Sequence, residues 1–246
     1  MEAKIKNMGC LLTSKPYSVI ICLLIMVTFF LIAFAALTVK LLNPTAGITP
    51  EVLSKVEKKY GELSKNRLKS WIKFIDENKQ LTLDEKLKQT NDFFNNPLRI
   101  RYNSDMNQWG KSDYWATPVE FIIQGSGDCE DYAVAKFFTL VALGVPQENM
   151  ELTYVYLKQQ AANANPNQAH LVLAYYATKR SEPLILDNVD SEVKLASQRP
   201  DLKPVFSFNG IGLWSAKQRE QGETTSAEKF KPWSEMNQRS FAKLGL

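Results

Sequence analysis

The stretch Gly125-Ser126-Gly127-Asp128-Cys129-Glu130-Asp131-Tyr132 decides how this chain is read. Two glycines break the preceding helix, Asp128 suits an N-cap, and a helical run follows through Tyr132, Ala133, Ala135, Lys136, Phe137, Leu140 and Leu143 to Gly144 and Pro146. That run is strongly apolar, which predicts a central, buried helix. Cys129 then stands in the first turn, where unpaired N–H groups and the helix dipole favour a thiolate. Gly125 and Gly127 let the backbone approach a substrate closely, and the N–H of Cys129 can donate to an oxyanion.

Working outward, the chain offers a single histidine, His170, within Gln168-Ala169-His170-Leu171-Val172. Asp187 follows the apolar run Pro183-Leu184-Ile185-Leu186. Residues 169–177 and 183–187 read as two strands joined by Thr178-Lys179-Arg180-Ser181-Glu182. If that connection is a hairpin turn, His170 and Asp187 fall within two or three positions of direct opposition, close enough for a carboxylate to hold an imidazole. Each residue taken alone has an ordinary structural reading. Together, Cys129, His170 and Asp187 supply a nucleophile, a base and an orienting carboxylate for thiol acyl-transfer chemistry.

Upstream, Val52, Val56 and Tyr60, then Leu68, Trp71, Ile72 and Ile75, recur at helical spacing. Thr82 and Glu85 suit a capping box for a helix ending before Asn95-Asn96-Pro97. Residues 98–116 read as an aromatic-rich loop, and Thr117-Pro118 opens a short helix to Gln124. Residues 152–157 and 205–208 are further strands, 161–168 a polar loop, and 215–229 mostly loop with a short helix near its end. Helices followed by a meander of strands predict one α+β domain over residues 51–246, after a tether at 41–50.

Residues 1–40 are different. Positions 18–39 form an uncharged apolar run of 22 residues, enough to span a bilayer, preceded by Lys4, Lys6 and Lys15. An uncleaved signal anchor fits that length; a signal peptide cleaved near Ala33, Ala35 and Ala36 is the other reading. Either places the domain in an exported compartment, expected to be the periplasm. Cys10 and Cys22 lie before or inside the apolar run, so Cys129 has no disulfide partner within the domain. The net charge of +4 is small and scattered, and no basic patch suggests nucleic acid.

Asp128, Glu130 and Asp131 surround the thiol, and like charge disfavours a thiolate. These acids are either ordinary first-turn carboxylates or oxygen ligands for a hard divalent cation that removes the conflict. No EF-hand loop is present to name further ligands. Trp109 and Trp115 suit core packing or the wall of a substrate cleft, with the Trp115 indole N–H as a second oxyanion donor.

Gly127-Asp128-Cys129-Glu130-Asp131-Tyr132-Ala133, Ala169-His170-Leu171-Val172, Leu186-Asp187-Asn188 and the upstream Tyr114-Trp115-Ala116-Thr117-Pro118-Val119-Glu120 resemble the bacterial transglutaminase-like cysteine proteinases. These are the periplasmic LapG-type enzymes, and the resemblance spans roughly residues 60–215. It implies a transglutaminase/papain-like α+β core, with a catalytic helix packed on an antiparallel sheet and a Cys129-His170-Asp187 triad. It also implies calcium dependence, with Asp128, Glu130 and Asp131 as the metal residues. The implied substrate is a large repeat adhesin, cut near its N-terminus at a site with paired alanines. The implied controller is an inner-membrane cyclic di-GMP receptor that sequesters the protease. An uncleaved anchor departs from the usual soluble form of that family. The same triad also serves transglutaminases and N-acyltransferases, and a non-catalytic peptide-binding module is a further alternative.

Overall fold

The computed structural model describes residues 44–45, 47–158, 168–210, 212–215 and 226–241, with Ile21, Leu24 and Ile25. The chain divides into two units, 1–41 and 42–246. The apolar run 18–39 lies outside the described residues apart from those three positions; among the described residues no helix is long and apolar enough to cross a membrane.

The second unit begins with three helices, α1 Pro50–Tyr60, α2 Glu62–Asn78 and α3 Leu83–Asn95. The Thr49 hydroxyl accepts from the Val52 N–H, Pro50 pre-sets the first turn, and Gly61 at φ 88° ends α1. Leu68, Trp71 and Ile75 recur on one face of α2 and are buried. The Thr82–Glu85 capping box forms at the start of α3. The expected loop 98–116 instead contains a two-residue strand, β1 Arg101–Tyr102, and a short helix, α4 Asp105–Trp109. The helix α5 Pro118–Gln124 opens on a Thr117–Glu120 capping box and closes on Gly125 at φ 67°. Immediately after it, β2 Ser126–Gly127 pairs in parallel with β1.

The helix α6 Cys129–Ala142 is the centre of this unit: every residue from Asp131 to Val141 is buried. It packs on a six-stranded sheet of order β6-β5-β4-β3-β7-β8, antiparallel throughout. The strands are β3 Met150–Leu157, β4 Gln168–Tyr175, β5 Leu184–Leu186, β6 Lys194–Leu195, β7 Leu202–Phe208 and β8 Leu213–Ser215. The first four form a meander, and β7 returns to the free side of β3. A last helix, α7 Lys231–Phe241, lays Trp233 against Phe137, Phe138 and Phe208. Trp71 of α2 is fully buried against α6 and donates its indole N–H to Thr139 Oγ1 at 2.9 Å. Burying a side chain of this kind contributes about 1.5–3 kcal/mol, so α6 is fixed from both the helical and the sheet side.

Candidate active site

The hairpin of β4 and β5 pairs Leu173 with Leu186 and Ala174 with Ile185. Continued by one step, this register sets Asp187 opposite Val172, a diagonal neighbour of His170. His170 Nε2 and Asp187 Oδ1 lie 2.7 Å apart and both residues are buried. The structure therefore joins the histidine and the carboxylate that the strand spacing had placed near each other. With Nε2 engaged, Nδ1 is the ring nitrogen left for a second partner.

Asp187 is held at both carboxylate oxygens and at its carbonyl. Its Oδ1 also accepts from the Val189 N–H at 3.1 Å, its Oδ2 from Arg199 Nη2 at 2.9 Å, and its backbone carbonyl from Asn95 Nδ2 at 2.6 Å. Burial alone would raise its pKa, but His170, the Val189 N–H and the Arg199 guanidinium hold it down at about 2. Asp187 is thus an anion over any working pH. Arg199 and Asn95 carried no sequence signal. One sits beyond a polar turn and the other beside a helix-stop proline, and only the tertiary fold brings them to Asp187.

Cys129 and His170 line one cleft of about 970 Å³, together with Tyr102, Trp115, Tyr154 and Asn188. The Cys129 thiol donates to Glu130 Oε2 at 2.9 Å. Burial pushes its pKa well up and the Glu130 carboxylate adds to that; the Leu171 backbone N–H works the other way. Burial and the neighbouring acid thus oppose the helix-terminus preference for a thiolate.

Asp128 occupies the N-cap position of α6, but its side chain makes no capping bond. It turns instead toward Asp105 and Asp131, and carboxylate oxygens of the three lie within 4.8 Å of one another. In each residue one buried oxygen has no hydrogen-bond partner: Asp105 Oδ1, Asp128 Oδ1 and Asp131 Oδ2. The other Asp131 oxygen accepts from the Ala116 N–H at 2.8 Å. Gly127 is required here, since a Cβ at that position would fall 2.2 Å from Asp131 Oδ2. Burial first, and then the charge of neighbouring carboxylates, Glu130 among them, raise all three acids, Asp105 to about 6, Asp128 to about 8 and Asp131 well above its ordinary value. Buried, unpaired carboxylate oxygens are costly, and a hard cation with oxygen ligands is the group whose chemistry fits them. Glu130, grouped with Asp128 and Asp131 in the sequence, lies in a second acidic trio with Asp105 and Asp113. Asp105 belongs to both trios and was hidden within the stretch read as loop.

A family model for bacterial transglutaminase-like cysteine proteinases matches residues 67–201, which include Cys129, His170 and Asp187. The chain belongs to that family. Three solved structures of Legionella pneumophila LapG are similar to this proteinase. The EGTA-treated form is 39% identical with a TM-score of 0.65, covering 76% of this chain and 97% of that one. The calcium-bound form is 41% identical with a TM-score of 0.64, covering 78% and 99%. A third, described simply as LapG, is 39% identical with a TM-score of 0.63, covering 76% and 95%. No curated protein sequence matches.

Within this cysteine proteinase the two tryptophans separate. Trp115 is buried, lines the cleft and packs against Phe208 and Phe230, so it is both core and cleft wall. Trp109 is not part of that wall. It stands at the end of α4 and its ring packs 4.6 Å from Tyr114.

Proposed function

We propose that this cysteine proteinase is a calcium-dependent endopeptidase that cleaves the N-terminal region of a large repeat adhesin at a small-residue site containing paired alanines. In this reading it works in the periplasm, directed there by residues 18–39 as an anchor or a cleaved signal. It releases the adhesin and so controls biofilm attachment. An inner-membrane receptor that senses cyclic di-GMP restrains it by sequestration. The observation that carries the proteolytic reading is the buried His170–Asp187 bond beside the cleft that holds Cys129.

His170 Nδ1 accepts the thiol proton as Cys129 Sγ bonds to the carbonyl carbon. The Cys129 backbone N–H, at the start of α6, supports the oxyanion. The C–N bond then breaks, and the imidazolium returns its proton to the departing amine. Water attacks the thioester, giving its proton to His170, and the thiol is regenerated. Asp187 fixes the tautomer of the neutral imidazole and stabilises the imidazolium once it forms. Asp105, Asp128 and Asp131 would hold calcium, whose charge offsets the acids beside the sulfur. The calcium-bound Legionella LapG supports that choice of ion.

The test is incubation of wild type and Cys129→Ala with an adhesin N-terminal fragment, with and without chelator and a labelled amine. Cleavage by the wild type alone, lost on chelation and without amine incorporation, is expected. Equal cleavage by both proteins would sink the thiol mechanism. Amine incorporation in place of hydrolysis would make the enzyme an acyltransferase.

A further inference from the structure

In β1, neighbouring side chains serve different surfaces, as strand geometry requires. Tyr102 lines the cleft that holds Cys129, whereas Arg101 lines a separate groove of about 460 Å³. Arg67 of α2 and Arg99 line the same groove. Arg67 Nη1 donates to the Ile123 carbonyl at 2.7 Å, and Arg99 Nη1 to Ser70 Oγ at 2.9 Å. Among the described residues, none of the three arginines forms an ion pair with a carboxylate.

Arg67 and Arg101 line this groove close enough to repel each other, with no paired carboxylate between them. Burial and then the charge of Arg101 hold Arg67 below its usual range. An anion would relieve that repulsion, and the planar guanidinium matches a carboxylate in two parallel bonds. The groove is also apolar at its rim. Leu63 is 65% exposed and Leu98 is 92% exposed, and both line it. A free inorganic anion would leave those leucines uncovered. A ligand carrying both carboxylates and an aliphatic or aromatic side chain satisfies both features.

We propose that this groove docks an acidic segment of a partner protein that bears an apolar anchor, at a surface separate from the peptide cleft. The inference goes beyond the proteolytic reading and does not rest on it. The pairing of Arg101 with Ser126 and of Tyr102 with Gly127 places this surface against the strand that leads to the nucleophile.

The experiment measures fluorescence anisotropy of a short labelled peptide of alternating glutamate and leucine. It is titrated with full-length Cys129→Ala in detergent, so that nothing is cut. The peptide should bind, and binding should weaken at least about tenfold when glutamate is replaced by glutamine or leucine by serine. The Arg99→Ala/Arg101→Ala double variant should show a similar loss, with unchanged circular dichroism, and added salt should weaken binding. Leu98→Ser, at an exposed position, provides a second variant that leaves the arginines in place and should also weaken binding. Absence of binding would overturn the proposal, as would equal affinity for the glutamine peptide or full affinity in the double variant. Competition by inorganic phosphate together with full binding of the serine peptide would reduce the groove to a small-anion site. Tighter arginine-dependent binding of single-stranded DNA would make it a nucleic-acid surface.

Discussion

His170 Nε2 lies 2.7 Å from Asp187 Oδ1, while the other oxygen of that carboxylate is 2.9 Å from Arg199 Nη2. The histidine and the arginine thus share one buried anion, which fixes the imidazole through Nε2 and does not engage Nδ1. Asp187→Asn keeps the shape but removes the charge. It is expected to lower the chemical rate about a hundredfold to ten-thousandfold while changing substrate binding little. Single-turnover kinetics at saturating substrate separate the two; an unchanged chemical rate would mean another group holds the imidazole.

Glu130 accepts a hydrogen bond from the Cys129 thiol and adds to the rise in its pKa that burial begins. Glu130→Gln removes the charge, so in chelator the thiol should alkylate at lower pH than in wild type. Adding calcium to wild type should move the alkylation curve in the same direction. Coincident curves for all three samples would show that neither the acid nor the cation governs the sulfur.

Asp105 sits 23 residues and more from the other acids in sequence, yet contributes an unpaired buried oxygen to the same cluster. Asp105→Asn is expected to weaken calcium binding by about tenfold or more, because ligand charge sets the affinity of oxygen sites. Calorimetric titration of chelator-treated protein measures this. Wild-type affinity in the variant would leave Asp105 as a structural acid only.

Lys136 is fully buried on α6, donates to Asn91 Oδ1 at 2.8 Å, and burial pushes its pKa down to about 7, opposed by Asp187. Its folded pKa is depressed below that of the unfolded chain. Between pH 7 and the unfolded value the unfolded state holds the extra proton, so folding stability rises with pH across that window. This contribution should be on the order of a few kcal/mol and absent from Lys136→Met, so that the pH slopes of wild type and variant differ by that amount. Losing the Asn91 partner costs the variant about 1–3 kcal/mol at every pH, which offsets but does not mimic this slope. Urea unfolding at pH 7 and pH 9.5 checks it; parallel slopes would mean Lys136 stays protonated in the fold.

Local sequence patterns carried much of this protein. The glycine pair, the acidic N-cap position and the apolar run after Cys129 identified the central helix, because capping, dipole and hydrophobic period act within a few residues. The Thr82–Glu85 box and the β4–β5 hairpin were legible for the same reason, and the hairpin register brought Asp187 to within a diagonal of His170. Residues 98–116 were not legible, since a two-residue strand and a five-residue helix have too few positions to show a period.

The remainder was decided by packing between distant elements. Arg199 and Asn95 reach Asp187, Asp105 joins Asp128 and Asp131, and Trp109 packs on Tyr114 only through the tertiary fold. The sequence by itself singled out Cys129, His170 and Asp187 as candidates for the chemistry, through residue type and local pattern. The tertiary structure alone decided which oxygens are left unpaired, which charges are buried and which faces meet. Those properties depend on distances in space that spacing along a chain does not encode.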